Sequence, residues 1–508
     1  MISGQYVYPY NAVKNEKVVF APDIYDFYFA LFAFILGYLY SRWILFAWTG
    51  WGVALFTVLY LIVITTYFMV KDKFVNDRTV WFWFAVTMIV GSSYALFDNP
   101  GFSFVRALFL FCSAVYYVMK ATGRTILGRT GNYLLIDGIN SVIIIPLRNF
   151  INQYISLSVP GKKDKRSRSL SVIIGTLTAT VMFIILIPLL IRADGGGFRV
   201  ITDFISDIFT FYINEFIFYV IFAIPVAAYI FALVSGAAHG RHTGTFKLES
   251  VEKRVKALRF TQPVTIYIVL GAVCILYLIF IFSQIPYFFS AFTGSRPDGW
   301  LIFSEYARHG FFELCTIAVI NLVLLTVSNL VSKKRRDDLK TLKIFNVILA
   351  VTTLVLIATA FSKMALYIDA YGLTMPRLLP CVFMIFLAAI FIALIILQKR
   401  EFSIVRFALI IGSVIICTLC MTNPDAIVVR YNSDRYIAGT LKEYDVEILY
   451  RAGAAGVLPA FKVMEQTTDP TLKHEINEYL IMQSYLTAES HRSSLESYRA
   501  RNVLSVIR

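Results

Sequence analysis

Acidic and basic side chains recur at helical spacing in the segment SEYARHGFFELC, Ser304 to Cys315. Glu305, His309 and Glu313 are each four residues apart, so a helix would place them on one face. Arg308 lies beside that face, one turn from Glu305. Grouped charges of this kind could bind an anionic headgroup, a small solute or a peptide, so this segment is the first candidate site.

The surroundings of this segment make its charges unusual. An ionisable side chain at the centre of a membrane helix costs about 2.5–3.5 kcal/mol on insertion scales. Glu313 is expected a turn or more below the interface and therefore needs a partner or a water-lined cavity. Glu215, Lys363, Asp369 and Arg377 stand at other predicted outer span ends. We predict an outer-face binding pocket of Glu215, Glu305, Tyr306, Arg308, His309, Glu313, Lys363, Asp369 and Arg377.

Other interpretations of these charges stay open. They could pair in a structural network or cap helices at the interface, and long side chains near span ends reach water cheaply. His309 and Glu313 have metal-compatible spacing, but two ligands are too few, so we predict no metal and no cofactor. No catalytic motif is recognised, which favours a protein that is not an enzyme. Arg106, Asp23 and Asp26 are interpreted as snorkelling or capping residues.

The composition gives the class of elements that position these residues. The chain has 508 residues, 58% of them hydrophobic and 16% charged, with a formal net charge of +15. Soluble domains have about 45–50% apolar and about 25% charged residues. Disorder and an ordinary cytosolic enzyme are therefore excluded. The sequence predicts an all-α, polytopic integral membrane protein.

A membrane helix needs about 20 mostly apolar residues. The chain contains about eleven such stretches, each crossing the hydrocarbon once. They are predicted at 24–41, 43–70, 79–97, 102–119, 170–191, 211–235, 263–284, 302–331, 344–362, 378–397 and 402–421.

Lys and Arg residues are concentrated in alternate connections, including GKKDKRSRS at 161–169 and KKRRDDLKTLK at 333–343. By the positive-inside rule these connections are cytoplasmic, which predicts a cytoplasmic N-terminus and an extracytoplasmic C-terminus. The expected location is the cytoplasmic (inner) membrane. The basic loops are expected to contact anionic lipid heads, and a nucleic-acid partner is not expected because the loops lack interleaved aromatics and a binding module.

Two parts lie outside the predicted spans. Segment 121–160 is too polar to span and is interpreted as an interfacial or shallow re-entrant helix. The tail after Asn423 is predicted to form three to five short helices on the outer face. The predicted boundaries are 1–22 for a cytoplasmic N-terminal segment, 23–119 for four spans, 120–169 for a basic cytoplasmic loop with an interfacial helix, 170–421 for seven spans and 422–508 for the helical tail.

The chain resembles a family of bacterial multi-pass membrane proteins known only as a domain of unknown function. Its members carry a Tyr-Ala-Arg-x-Gly-Phe-Phe-Glu-Leu block, matched here by Tyr306 to Leu314. The likeness continues at Phe361 to Leu378 and at Asn423 to Thr440. The resemblance implies no activity, but it favours Tyr306, Arg308, Glu313 and the 361–378 segment as parts of a shared outer-face site.

Three functions are compared. The first is a transporter or a lipid- or small-solute-binding membrane protein that uses the charged pocket. The second is a non-enzymatic signalling or scaffold subunit that binds a protein partner through the 422–508 tail. The third is a lipid-linked glycosyltransferase, which is disfavoured because the first outer loop is essentially Ser41-Arg42 and has no acid. Membrane lipids are expected partners in every case.

Overall fold

The computed structural model of the protein describes residues 20–45, 50–126, 131–159, 175, 182, 215–244, 248–293, 303–333, 340–400, 402–487 and 494–507. Within these ranges the regular structure is helical, apart from an isolated pairing of Thr261 with Ser332. Helices satisfy their own backbone hydrogen bonds, which hydrocarbon requires of any segment that crosses it.

The helices are numbered in chain order. The first part contains α1 (Ile24–Tyr40, followed by a π-helical turn, Ser41–Leu45), α2 (Trp51–Val70), α3 (Arg78–Leu96), α4 (Ser103–Ala121), α5 (Leu134–Ile139), α6 (Ile145–Asn149), α7 (Asn152–Leu157), α8 (Glu215–Ala238) and α9 (Leu248–Ala257). The second part contains α10 (Pro263–Thr293), α11 (Phe303–Val331), α12 (Lys340–Tyr371), α13 (Met375–Leu397), α14 (Ile404–Thr422), α15 (Pro424–Ile437), α16 (Glu447–Ala452), α17 (Val457–Gln466), α18 (Pro470–Leu486) and α19 (Leu495–Ile507).

Ten helices in the described ranges are long and apolar enough to cross a membrane: α1 to α4, α8 and α10 to α14. They coincide with ten of the predicted spans. The fifth predicted span, 170–191, lies outside the described residues apart from 175 and 182. The protein is therefore a polytopic α-helical membrane protein, as the composition predicted.

The first bundle consists of α1 to α4 and α8, which share one buried core. Helices α1 and α8 pack closely because Gly37 has no side chain: a Cβ there would lie 2.5 Å from the carbonyl oxygen of Ala223. Aromatic rings fill much of the remaining space, with Phe29 stacked on Tyr67 and Phe231. Large apolar side chains at close-packed helix contacts give this bundle its interior.

The second bundle consists of α10 to α13 and has a separate core. Side-chain amides and hydroxyls link its helices: Asn321 accepts a hydrogen bond from Tyr277 at 2.7 Å and donates one to Thr353 at 2.9 Å. Asn329 and Asn346 exchange hydrogen bonds at 3.2 and 3.1 Å. Interhelical bonds of this kind hold membrane helices together where hydrocarbon gives little net drive for association. Helix α14 packs on both α3 and α13 and so joins the bundles.

The chain after α14 forms a small helical domain. Helices α15 to α19 enclose a core that includes Leu449, Val457, Ile476 and Tyr479. Asn423 begins α15 with a left-handed backbone, and its side chain accepts a hydrogen bond from the amide of Ala426. Helix α18 begins at Asp469, whose side chain caps it, followed by Pro470 at the first helical position.

Candidate functional site

A cavity of about 380 Å³ lies inside the first bundle, between α1, α2, α4 and α8. Its wall is mainly apolar and includes Phe56 of α2, Leu110 and Ala114 of α4, and Val226 and Ile230 of α8. Ligand pockets generally occupy about 300–1,000 Å³. The space is therefore large enough for a bound group and not only a packing defect.

Four of the five side-chain hydroxyl groups in this wall donate hydrogen bonds within the protein. Thr57 and Thr87 donate to the carbonyl oxygens four residues earlier in their own helices, at 2.8 and 2.9 Å. Tyr60 donates to the carbonyl oxygen of Ala114 at 3.3 Å, and Tyr229 donates to that of Val142 at 3.0 Å. Because these four hydroxyl protons already have acceptors, the cavity presents mainly hydrocarbon and ring surfaces to an occupant, with Tyr40 as the fifth hydroxyl-bearing side chain of the wall.

Phe111 connects the cavity with the outside of the bundle. Its side chain lines the cavity, yet 39% of its surface is exposed. Leu108, one turn earlier on α4, is 53% exposed, and Phe104 is 77% exposed. This face of α4 would lie against lipid, so Phe111 borders both the cavity and the hydrocarbon around the protein.

A buried polar cluster lies where the α3–α4 connection meets the C-terminal domain, and we call it the junction. Its carboxyl groups are Asp98, Asp425 and Glu496. Glu496 accepts hydrogen bonds from the amide of Asp98 at 3.2 Å and from the side chain of Asn423. Asp425 accepts from the amide of Gly101 at 3.1 Å. Three distant parts of the chain therefore meet at these carboxyl groups.

Arg106 is the cation of the junction. It is fully buried, and it donates hydrogen bonds to the carbonyl oxygens of Phe97 and Asp98 at 2.9 and 2.5 Å. Its guanidinium carbon lies 3.7 Å from the ring centroid of Tyr94, a cation–π contact. Arg106 therefore does not extend to the membrane surface. It binds carbonyl oxygens at the C-terminal end of α3 from inside the protein.

The junction carries more acid than base, and this changes its protonation. Burial, together with the charges of Asp98 and Asp425, raises the pKa of Glu496 to about 7. Burial also raises the pKa of Asp425 to about 6, although the Gly101 amide and Arg106 oppose the shift. Within the part of the chain that the structure describes, no group of side chains could hold a metal ion. The junction is suited to bind protons near neutral pH.

The opposite end of the first bundle holds another buried acid, Asp26. Its carboxylate accepts hydrogen bonds from the Tyr67 hydroxyl at 2.6 Å, from Lys71 Nζ at 3.1 Å and from His239 Nε2 at 3.0 Å. Asp23 and Asp26 also form the capping box of α1, as their position predicted, and Asp23 accepts from Lys71 at 2.7 Å. We call this group the Asp26 cluster.

Part of the predicted outer-face pocket lies outside the described side chains. The backbone of α11 is helical through 305–313, and that of α8 begins at Glu215. Among the predicted pocket residues, the structure does not describe the side chains of Glu215, Glu305, Tyr306, Arg308 and His309. The pocket as a whole therefore stays a prediction.

The remaining predicted residues occupy different environments. Glu313 is exposed, whereas Lys363 is buried on α12 and interacts electrostatically with Glu313. Asp369 forms an ion pair with Arg435 of α15 at 3.1 Å. Arg377 donates to the carbonyl oxygens of Tyr371 and Gly372 and lies over the Tyr367 ring. Arg377 therefore acts as a cap for α12, one of the alternatives considered for these charges.

Sequence reasoning did not find the cavity or the junction. The cavity residues are ordinary apolar or aromatic residues of five helical segments, and their spacing in the sequence does not indicate that they line a common cavity. Glu496 lies in a polar helix, Asp98 in a short connection and Asp425 next to Pro424, and each alone resembles a capping or surface residue. The available signal was the Asn-Pro pair at 99–100 and again at 423–424, which marks the two turns that meet.

Comparisons with known proteins give one match. Residues 84–461 match the family described as Domain of unknown function (DUF4153), which covers most of the chain. The match includes Asp98, Arg106 and Asp425 of the junction but not Glu496. No curated protein and no solved structure matches the chain.

Proposed function

The chain belongs to the DUF4153 family, a domain of unknown function, and we propose that it is a lipid-handling membrane protein that binds a hydrocarbon chain in the first bundle. The observation that carries this proposal is the cavity of about 380 Å³ with a mainly apolar wall, in which four of the five hydroxyl groups are hydrogen-bonded within the protein. Apolar cavities of this kind stay dry and accept apolar guests. The hydrocarbon around a membrane protein supplies such guests at high concentration.

The chemistry of the wall favours a lipid chain over a polar solute. A sugar, an ion or an amino acid would lose hydration and find few free donors in the cavity, which costs several kcal/mol for each unpaired polar group. Phe111 gives access from the side of the bundle, where acyl or isoprenoid chains lie. The predicted charged pocket on the outer face would then bind a headgroup or small solute in a transport cycle.

We place the protein in the bacterial cytoplasmic membrane, with the N-terminus in the cytoplasm and the C-terminal domain outside. The support is the alternation of basic connections along the chain. In this orientation the cavity occupies the outer half and the middle of the first bundle, because α2 would begin outside and its wall residues lie between Val53 and Tyr60.

Filling the cavity tests the proposal. Val226→Phe adds a ring to the cavity, and Val323→Phe makes the same change at a position of α11 that is 55% exposed. Protein purified in mild detergent would be incubated with a photoreactive fatty acid, and labelled peptides would be identified by mass spectrometry. We expect labelling of α4 and α8 to fall about tenfold in Val226→Phe, because the space for a methylene chain is lost.

The control gives the result that would reject the proposal. Val323→Phe should label like the wild type, since its new ring points away from the cavity. Unchanged labelling of α4 and α8 in Val226→Phe, with both variants folded, would show that the cavity does not hold the chain. Thermal unfolding shows whether each variant is folded. Overpacking a filled core costs about 1–3 kcal/mol, and a ring placed in the empty cavity should cost less.

A second candidate function uses the C-terminal domain as a scaffold for a protein partner. Tyr485 and Leu486 at the end of α18 are 68% and 52% exposed, and Ile481 lies on the same helix at 49%. Exposed apolar side chains that cluster on a soluble domain often mark an interface. Tyr485→Glu with Leu486→Glu should abolish co-purification of a partner with the membrane-embedded protein, and unchanged co-purification would reject this candidate.

A further inference from the structure

The segment from α5 to α7 exposes a regular apolar stripe. Its exposed members are four residues apart throughout: Leu135, Ile139, Ile143, Leu147 and Ile151. Leu135 is 81% exposed and Leu147 is 66% exposed. Four-residue spacing places all of them on one side of a helical segment. A stripe of this length would be unfavourable in water but is favourable in hydrocarbon.

The opposite side of the segment is polar and buried. Asn149, Asn152, Gln153 and Ser156 are at most 3% exposed. Gln153 donates to the carbonyl oxygen of Ala30 in α1 at 3.2 Å. This arrangement is the reverse of a water-soluble amphipathic helix, in which the apolar side is buried. The segment therefore has its polar side against the bundle and its apolar side towards lipid.

Basic residues stand beside this stripe. Arg148 is exposed between Leu147 and Ile151 in the sequence of the segment. The connection after α8 brings Arg241 and His242 to the same place. Asn149 and Asn140 donate to the carbonyl oxygens of Arg241 and Thr243 at 3.3 and 3.1 Å, and thereby fix that connection on the segment.

His242 interacts electrostatically with both arginines. Partial burial lowers the pKa of His242, and the charges of Arg241 and Arg148 lower it further. Arg241 Nη1 donates to Asn152 Oδ1 at 3.1 Å, which holds its guanidinium against the segment. The charges of Arg148 and Arg241 therefore disfavour the protonated form of His242, and an anion bound between these residues would be attracted by both arginines.

We propose that Arg148, Arg241 and His242 form a binding site for the phosphate headgroup of an anionic phospholipid whose chains lie along the apolar stripe of α5 to α7. The ligand combines two chemistries that the surface offers side by side: charge-assisted hydrogen bonds for a phosphate and methylene contact for acyl chains. A nucleic acid or acidic protein would match the cations but not the adjoining stripe. This site is separate from the cavity and does not depend on the proposed function.

The test measures lipid retention by the full-length protein. The protein would be transferred from detergent into nanodiscs of phosphatidylcholine with added phosphatidylglycerol, and bound phosphatidylglycerol would be counted by native mass spectrometry after release. Arg148→Gln and Arg241→Gln should each lower the retained phosphatidylglycerol about fivefold, the usual contribution of one basic residue at an anionic leaflet. Arg148→Lys should restore most of the retention, since it keeps the charge.

Controls keep the experiment decisive. Arg430 is an exposed arginine on α15, and Arg430→Gln should retain phosphatidylglycerol like the wild type. Arg148→Gln removes a side chain at the surface and should leave thermal stability in phosphatidylcholine unchanged, whereas Arg241→Gln could loosen the segment. Equal retention in Arg148→Gln, Arg430→Gln and the wild type would overturn the proposal.

The source of the phosphate is tested separately. Inorganic phosphate would be added to the protein in detergent, and its effect on thermal unfolding compared with that of phosphatidylglycerol. A lipid site should be stabilised by phosphatidylglycerol and hardly by inorganic phosphate, because the stripe contributes to binding. Equal stabilisation by both would show a soluble-anion site and would overturn the lipid assignment.

Discussion

The first bundle carries buried acids at both ends, but the two ends balance charge differently. In the Asp26 cluster, Asp26 faces Lys71, His239 and a tyrosine hydroxyl. At the junction, the described residues include three carboxyl groups and one buried arginine, Arg106, which donates its hydrogen bonds to backbone carbonyl oxygens. One end is supplied with hydrogen-bond donors and cations, and the other has an excess of acid.

This difference shows that the role of a carboxyl group depends on its burial and on the number of cations and acids around it. Where cations and hydrogen-bond donors surround it, a buried carboxylate stays charged and links helices to one another. Asp26 links α1 to α2 and to the end of α8 in this way. Where acids outnumber cations, burial is relieved by taking up protons, because repulsion and desolvation both disfavour the charged form. The first arrangement is a constant structural link, and the second depends on pH.

The largest effect is expected for Arg106, the cation that the described residues place within the junction. Arg106→Met leaves the carbonyl oxygens of Phe97 and Asp98 without their donor and removes the charge nearest to Asp425. We expect a loss of about 3–5 kcal/mol in stability, the usual result of removing one partner of a buried charge group. Thermal unfolding in detergent and proteolytic release of the C-terminal domain measure it. Arg430→Gln is the matched control, and a comparable loss there would contradict this role of Arg106.

A smaller effect is expected at the other end. Asp26→Asn keeps an acceptor for Tyr67 but removes the buried charge opposite Lys71, which retains Asp23 at 2.7 Å. The expected loss is about 2 kcal/mol, since a hydrogen bond to a charged group contributes about 1.5–3 kcal/mol. Asp23→Asn serves as the control, because Asp23 is half-exposed and surface ion pairs contribute about 0–1 kcal/mol. Equal losses in both variants would show that burial does not distinguish them.

The junction should make stability depend on pH. Glu496 has a pKa of about 7 in the fold against 4.5 for an unperturbed Glu, and the pKa of Asp425 is about 6 against 3.8. Because the folded state binds these protons more tightly, their contribution is fully present below the unperturbed values and is lost as pH rises through the folded pKa values. The temperature of the unfolding midpoint should therefore decrease as the pH is raised from about 4.5 to about 7.

Glu496→Gln isolates the source of that dependence. The amide carries no charge at any pH and keeps an oxygen that can accept from the amide of Asp98. The slope of stability against pH should be clearly smaller in this variant, while Asp26→Asn should keep the wild-type slope. A wild-type slope in Glu496→Gln would assign the pH dependence to another group.

The smallest effect is expected for a single neutral donor at the junction. Ser497 donates its hydroxyl hydrogen bond to Asp98. Ser497→Ala should cost about 1 kcal/mol, because one net hydrogen bond is lost and one carboxylate oxygen loses its donor. Urea or thermal unfolding of the two proteins side by side measures the change, and an effect as large as that of Arg106→Met would contradict the proposed ranking.

The helices were the predictable part of the fold. Ten helices agree with predicted spans because about 20 apolar residues in sequence are sufficient to specify a membrane helix, whatever its neighbours are. The caps at Asp23 and Asp469 were also accessible, since they depend on residues two or three positions away. The polar 121–160 segment was predicted not to span for the same local reason.

The site was less predictable, and particular residues show why. Asp369 and Arg377 look alike as charges near span ends, yet one pairs with Arg435 of α15 and the other caps α12. Arg106 was expected to snorkel or to cap a helix; it is fully buried and donates to the carbonyl oxygens of Phe97 and Asp98 at the end of α3. Such outcomes depend on partners tens to hundreds of residues away.

The sequence by itself determined the all-α membrane class, the spans and the local caps. The length of an apolar stretch and the residues at a helix end act within one segment, so both can be read from the sequence alone. Only the tertiary structure decided where α1, α2, α4 and α8 leave a cavity, and which carboxyl groups meet at the junction. Those features arise from helix packing, in which side chains that are far apart in sequence fill, or fail to fill, the same space.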